Sequence, residues 1–262
     1  MAATLGMSRG TGARIDPSAS GRFTPHHPWD RNAFLAFVAM IWTGILMGFG
    51  GQIIHNVRIH APPYPLIVHF HAVAFVSWLA LLTSQVLLIR AHRPDIHRRL
   101  GVAGAGLAAV MLVLGPATAL IVDHLQFGGP HSDPPFLIVQ LTDMVAFAGL
   151  AGSAIALHGQ ASAHKRLILL STLYISDAGF SRWLGDAVHH LMGEGSVSFF
   201  AQLYLANDVL ILGLGAYDLI SRRRLHPAYL AGLAWVTANQ LTATALYTSP
   251  MWKHVALRLI GH

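Results

Sequence analysis

The chain has 262 residues, of which 54% are hydrophobic and only 11% are charged. Soluble domains carry about a quarter charged residues, so this composition excludes an ordinary soluble protein and predicts an integral membrane protein. The sequence contains no cysteine, which excludes disulfides, covalently attached c-type haem, iron–sulfur clusters, thiolate zinc sites and cysteine nucleophiles.

The chain begins with a polar segment. Residues 1–30 are rich in Gly, Ser, Pro and Arg and contain no apolar run. A signal peptide would need a short apolar core before its cleavage site. The composition instead predicts a flexible cytoplasmic tail over residues 1–32.

Seven apolar stretches follow, each long enough to cross a bilayer as a helix. They comprise residues 33–54, 65–90, 101–122, 135–157, 166–188, 199–220 and 227–248. Their apolar residues are continuous, and backbone polar groups in lipid must be satisfied within each segment, as a helix does. The predicted fold class is therefore all-α, a polytopic seven-helix transmembrane bundle over residues 33–250.

The distribution of Lys and Arg predicts the orientation of the bundle. If the N-terminus is cytoplasmic, 13 of the 17 Lys and Arg residues fall on cytoplasmic segments, namely Arg9, Arg14, Arg22, Arg31, Arg90, Arg93, Arg98, Arg99, Lys165, Arg166, Arg222, Arg223 and Arg224. Cytoplasmic loops of membrane proteins carry such an excess. We therefore expect a bacterial inner-membrane protein with a periplasmic C-terminal segment over residues 251–262. The formal charge of +6 is then a topology signal, so nucleic acid is not an expected partner.

Ionisable side chains inside the predicted spans mark a candidate site, because charge at membrane depth is costly. At 1.5 Å per helical residue, four of them lie about 9 to 14 Å below the periplasmic ends of four different spans. These four are His71, Asp143, Arg182 and Asp208. The shared depth predicts a polar site in the periplasmic half of the bundle.

Helical phase predicts which side of its span His71 occupies. His71 shares a face with Trp78 and Gln85, which indicates a side that faces the bundle. His69 lies about 200° away around the helix and is expected near lipid.

Arg182 has two candidate partners. Asp186, four residues on, suits an ion pair at the membrane edge with Arg182 extended towards water. The alternative partner is Asp143 or Asp208 inside the bundle. One arginine cannot neutralise several aspartates, and the surplus negative charge would attract a proton, a metal ion or the positive edge of a cofactor.

Three chemical interpretations of this site stay open. In the first, His71 and a second histidine ligate haem b; the candidates are His55, His124, His189 and His190 at the periplasmic ends and His97, His158, His164 and His226 at the cytoplasmic ends. In the second, His71, Asp143, Asp208 and His189 bind iron, zinc or manganese. In the third, the polar groups only specify helix partners. The residues assigned to cofactor binding are His71, Trp78, Gln85, His97, His164 and Arg182.

These residues also carry a resemblance. The pattern His69-Phe-His71-Ala, Trp78-Leu, Gln85 and His97-Arg-Arg-Leu-Gly101 continues with Asp143, His164-Lys-Arg-Leu, Arg182, Asp208, Tyr217-Asp218-Leu and Arg224-Leu-His226-Pro-Ala. Over residues 65–250 it resembles a large group of uncharacterised bacterial inner-membrane proteins, which implies a multi-helix membrane protein and brings no activity with it. A looser similarity, to diheme b-type cytochromes of the ascorbate-reducible kind, is carried by His71 and His97. That family pairs histidines across four central helices, whereas spans 4 and 6 here have no histidine at matching depth.

The sequence therefore predicts binding of haem or a metal for electron transfer, with a quinone as a candidate partner beside the lipid bilayer. The alternatives are a non-catalytic structural or assembly subunit of a larger membrane complex, a small sensor, or a metal-dependent enzyme that acts on lipid or isoprenoid substrates.

Overall fold

The structure, a computed structural model, describes residues 23–60, 62–130 and 132–262. These residues form nine α-helices and one short 3-10 helix, and no strand occurs among them. The helices are α1 (Asp30–Arg58), α2 (Leu66–Arg90), α3 (Pro94–Gln126), α4 (Leu137–Ala156), α5 (Ala161–Ile175), α6 (Asp177–Met192), α7 (Ser196–Arg222), α8 (Pro227–Tyr247) and α9 (Pro250–Leu259), with the 3-10 helix at Pro134–Phe136. The predicted all-α class is confirmed for this part of the chain.

Within the described residues, five segments are long and apolar enough to cross a membrane: α1, α2, α3, the 3-10 helix together with α4, and α7. They indicate a membrane protein, as the composition predicts. The fifth predicted span is divided between α5 and α6, which are each too short to qualify alone. The seventh corresponds to α8, which carries Asn239, Gln240 and several threonines and is not among these five segments. The count of seven crossings stays a prediction.

The helices run up and down between two ends of the bundle. At the near end, where α1 begins, Arg90 Nη1 donates a hydrogen bond to the Arg31 carbonyl oxygen at 2.7 Å. At the far end, the Trp252 indole of α9 donates to the Pro135 carbonyl oxygen at 3.0 Å. The C-terminal segment thus forms a short helix that packs across the far end of α3 and α4.

The predicted tail lies largely outside the described residues, which begin at Phe23. Residues 23–29 contact the near end, and α1 begins at Asp30, three residues before the predicted start of the first span. The Thr24 carbonyl oxygen accepts a hydrogen bond from Arg222, and the Pro25 carbonyl oxygen accepts one from Lys165.

The two largest apolar clusters hold the middle of the bundle together. The larger one joins α1, α2, α4, α5, α7 and α8 through buried side chains that include Ile41, Leu79, Leu150, Leu170, Ile211 and Tyr229. The smaller one joins α2, α3 and α4, where the Trp78 ring lies edge-on to Phe147 at 5.1 Å between centroids. The Trp78 indole also donates to the Thr172 hydroxyl of α5 at 3.1 Å, which links the two clusters.

Helix α6 packs closely on α1 through glycine. A Cβ atom added to Gly48 would overlap the Gly179 carbonyl group, and one added to Gly44 would overlap the Phe180 ring. Glycines at such contacts let two backbones approach each other. This approach sets the position of the first turn of α6, where the candidate site begins.

Candidate functional site

Aspartates from three helices surround Tyr174 and Tyr204, beside the break between α5 and α6. The Asp143 carboxyl of α4 contacts the Asp177 carboxyl of α6 within hydrogen-bond range. Asp208 of α7 accepts a hydrogen bond from Gln240 Nε2 of α8 at 2.8 Å. Tyr174 and Tyr204 each interact electrostatically with all three aspartates. We call Asp143, Tyr174, Asp177, Tyr204 and Asp208 the carboxyl cluster.

The helix break fixes the position of Asp177. Helix α5 ends at Ile175 and α6 begins at Asp177, whose Oδ1 accepts a hydrogen bond from the Ala178 backbone N–H at 2.6 Å. Asn207 of α7 donates through Nδ2 to the Ser176 hydroxyl at 3.0 Å and to the Leu173 carbonyl oxygen. Asn207 thereby ties α7 to the end of α5, where the Leu173 carbonyl oxygen also accepts from the Ser176 backbone N–H and hydroxyl.

Most of the carboxyl cluster is closed to solvent. Tyr174, Asp177 and Tyr204 are at most 5% exposed. The Asp143 Oδ1 atom and the hydroxyl groups of both tyrosines are inaccessible and have no hydrogen-bond partner among the described residues. Buried polar atoms normally have partners, so these atoms are the groups available to a ligand or to water.

The contact between Asp143 and Asp177 has a chemical consequence. A carboxylate only accepts hydrogen bonds, whereas a protonated carboxyl group also donates one. Two carboxyl groups in contact repel each other when both are ionised, whereas one proton held between them allows a hydrogen bond. The arrangement is thus suited to binding and releasing a proton.

A shallow pocket of about 330 Å³ lies one helical turn beyond Asp177, towards the far end. Its walls are Phe136, Ser181, Arg182, Phe199, Gln202 and Leu203. Leu203 directly precedes Tyr204 of the carboxyl cluster. The pocket therefore lies between the cluster and the far end of the bundle.

Arg182 is held by α1 and by its own helix. Its Nε donates to Gln52 Oε1 at 3.1 Å, its Nη1 donates to the Ala178 carbonyl oxygen at 2.6 Å, and its guanidinium lies 4.7 Å from the centre of the Phe49 ring. It also attracts Asp177 electrostatically. The contacts described for Arg182 include none of its three predicted partners, Asp143, Asp186 and Asp208.

The two histidines of the predicted metal site lie apart from the carboxyl cluster. His71 stacks on Phe75 with 4.1 Å between ring centroids and has the Leu114 backbone of α3 as a neighbour. His189 lies at the far end, 3.4 Å from Glu194. Within the described ranges, no three His, Asp or Glu side chains lie close enough together to hold a metal ion. Metal binding by His71, Asp143, Asp208 and His189 stays a prediction.

Three residues assigned to cofactor binding do meet, but at the near end. The His97 and His164 rings lie 6.2 Å apart between centroids, nearly perpendicular at 87°. Gln85 Nε2 donates to the His97 carbonyl oxygen at 3.1 Å, and His164 Nδ1 lies 2.8 Å from the Ala154 carbonyl oxygen. Trp78, assigned to the same set, is instead hydrogen-bonded to Thr172 in the bundle interior.

The near end also contains an ion-pair network that sequence reasoning missed. Arg166 and Asp218 are fully buried and form two hydrogen bonds, Nε to Oδ2 at 2.7 Å and Nη2 to Oδ1 at 2.5 Å. Asp30 pairs with both Lys165 and Arg222 at 2.7 Å. The sequence motifs contain these basic residues, but only their contribution to the positive charge of the cytoplasmic side was predicted. An aspartate one turn before Arg222 in an apolar helix was the available signal.

His226 caps the start of α8 beside this network. Its Nδ1 accepts a hydrogen bond from the Ala228 backbone N–H at 3.0 Å. Burial, together with the positive charge of Arg166, lowers the pKa of His226 below its usual value of 6.5. The neutral form that can accept this hydrogen bond is thereby favoured.

Comparisons with protein-family models, with curated proteins and with solved structures found no match. The resemblance to a group of bacterial inner-membrane proteins therefore stays a prediction, as does haem binding.

Proposed function

We propose that the chain crosses a bacterial inner membrane seven times, with its N-terminus in the cytoplasm. In this topology α5 and α6 form one interrupted crossing and α8 forms the seventh. The near end, where Lys165, Arg166 and Arg222 lie, is then cytoplasmic, in agreement with the excess of positive charge expected there. The carboxyl cluster then lies within the membrane.

We further propose that the protein binds and releases a proton at Asp143 and Asp177 as the intramembrane step of a proton-coupled process. The contact between these two carboxyl groups, of which Asp177 is 5% exposed and Asp143 is half-buried, is the observation that carries the proposal. Ionisable residues inside membrane proteins commonly serve as proton relays. Interrupted helices at membrane depth commonly border ion and substrate sites, since irregular backbone there must be enclosed by protein or line a cavity.

The surroundings of the pair favour a proton over a metal ion. Metal sites built from carboxylates gather three or more ligands around the ion. The carboxyl cluster instead offers one carboxyl pair, two phenol groups and an Asp208 that is already bonded to Gln240. A proton needs only the pair itself, and the pocket near Arg182 lies on the side of the pair that faces the far end.

The redox function predicted from the sequence is compatible with this step. Reduction of a quinone consumes protons, and a buried carboxyl pair is a suitable donor. Electron transfer, a structural role in a larger complex and an enzymatic action on lipids all stay predictions beside the proposed proton binding.

Infrared spectroscopy tests the proposal directly. The chain is reconstituted in lipid nanodiscs, and difference spectra between high and low pH are recorded for the C=O stretch of protonated carboxyl groups. We expect a titrating band that disappears in both Asp143→Asn and Asp177→Asn. An asparagine retains the shape and can donate to the remaining carboxylate, so the cluster should stay folded.

Asp186→Asn is the matched control, because Asp186 lies on α6 but is exposed. It should leave the band unchanged. A band that survives in both cluster variants, or is lacking in the unsubstituted protein, would refute the proposal.

A further inference from the structure

A second polar site lies at the near end, away from the carboxyl cluster. His97 is in the first turn of α3, His164 is in the first turn of α5, and Gln85 is near the end of α2. Three helices therefore bring two imidazoles and a carboxamide together. The proposed proton binding makes no use of these groups.

Two polar side-chain atoms of this site take part in no hydrogen bond among the described residues. His97 Nδ1 and Gln85 Oε1 are inaccessible atoms without a hydrogen-bond partner among the described residues. The orientation of the Gln85 amide is fixed, because its Nε2 donates to the His97 carbonyl oxygen. An amide oxygen and an imidazole nitrogen from two neighbouring helices are thus both without a partner among the described residues.

The contact between His164 and the Ala154 carbonyl sets the tautomer of His164. A carbonyl oxygen can only accept, so His164 Nδ1 carries the proton at this 2.8 Å contact. The Nε2 atom then keeps its lone pair. Histidines that ligate metals usually donate their other ring nitrogen to a carbonyl or carboxylate in this way, which orients the ring and fixes the tautomer.

We propose that His97, His164 and Gln85 form a binding site for a divalent transition-metal ion of the type that imidazole prefers, with Zn²⁺ as the reference ion. Two imidazole nitrogens and one amide oxygen supply three ligands, and water takes the fourth position. Two imidazoles on one tetrahedral ion have centroids about 5 Å apart, given metal–nitrogen bonds of about 2 Å. The separation in the structure is 6.2 Å, so ion binding requires the two rings to move closer together.

The charges nearby permit a cation. Lys165, the neighbour of His164, is paired with Asp30 at 2.7 Å, which offsets its charge. Arg98, next to His97, is exposed and therefore screened by solvent. The site is half-buried at the end of the bundle, so an ion can reach it from water.

The test is a Zn²⁺ titration of the full chain, purified without a histidine tag and followed by calorimetry at pH 7.5. We expect one tightly bound Zn²⁺ per chain and a dissociation constant at least about tenfold higher in His97→Ala. His164→Asn should have the same effect. It removes the Nε2 ligand but keeps a donor that reaches the Ala154 carbonyl, so local structure is retained.

His158→Ala is the matched control, since His158 lies in the turn before α5 and its Nδ1 contacts the Ile155 carbonyl oxygen. It should bind Zn²⁺ as the unsubstituted chain does. Asp177→Asn should also bind normally, which separates this site from the proposed proton site. Absence of Zn²⁺ binding, or an affinity unchanged in both His97→Ala and His164→Asn, would overturn the proposal.

Discussion

The buried pair of Arg166 and Asp218 makes a quantitative prediction about stability. Both side chains are 0% exposed, and two hydrogen bonds join them. Asp218→Asn keeps the shape of the side chain but leaves the Arg166 guanidinium without its counter-ion. Removal of one partner from a buried ion pair costs about 3–5 kcal/mol. We therefore expect the unfolding equilibrium constant to rise by more than about a hundredfold.

A double variant separates the cost of an unpaired charge from the value of the pair. Replacement of both residues by apolar ones, Arg166→Met with Asp218→Leu, removes the uncompensated charge and should cost much less than the sum of the two single substitutions. Arg222, at 3.7 Å from Asp218 Oδ1, stays paired with Asp30 in all these variants and is not left alone.

The measurement is reversible unfolding in mixed lipid–detergent micelles, followed by tryptophan fluorescence. The control is Asp95→Asn, because Asp95 and Arg93 form a pair whose side chains are 58% and 54% exposed. Such pairs contribute less than about 1 kcal/mol. If Asp218→Asn costs no more than Asp95→Asn, the reasoning about the buried pair is wrong.

Two further predictions concern helix packing and pH. Gly48→Ala should destabilise the protein by about 1–3 kcal/mol, because the added methyl group overlaps the Gly179 carbonyl. Gly50→Ala is the control, because its Cβ would have open space around it and the substitution should be neutral or stabilising. Equal changes in the free energy of unfolding for the two variants would contradict the described contact. The pKa of His226 is lower in the folded protein than in the unfolded chain. As the pH falls below about 6.5, the unfolded chain therefore binds a proton at His226 before the folded protein does. The free energy of unfolding should consequently decrease from pH 7.5 towards pH 5. His226→Asn keeps a capping side chain that does not titrate, so thermal unfolding at several pH values should show a weaker decrease, and an unchanged profile would count against this cap.

The sequence was sufficient to predict most helix positions. The stretch predicted at 65–90 corresponds to α2 at Leu66–Arg90, since Pro65 and Arg90 limit an unbroken apolar run. The break at Ser176 could not be predicted, because neither proline nor glycine stands there and the apolar pattern continues on both sides. Contacts from another helix stabilise it, chiefly those of Asn207 with the Leu173 carbonyl and the Ser176 hydroxyl.

The candidate site was only partly accessible from the sequence. Depth along each span grouped Asp143 with Asp208, and in the structure both interact with Tyr174 and Tyr204. Depth does not give the distance between two helices, so it also grouped His71 with them. The lateral arrangement depends on backbone contacts such as Gly48 against Gly179, which no periodicity in a single helix reveals.

The two polar regions of the bundle differ in how completely their charges are matched. At the near end Asp30 and Asp218 each face arginine or lysine at 2.5 to 2.8 Å, so this network is satisfied within the protein and accounts for its own presence. In the carboxyl cluster the nearest cation is Arg182, which is bonded to Gln52 and the Ala178 carbonyl rather than to an aspartate. Polar groups that only specify helix packing gain most when every partner is satisfied. A cluster that leaves a carboxyl oxygen and two phenol groups unmatched is better explained by a bound proton and its exchange than by packing alone.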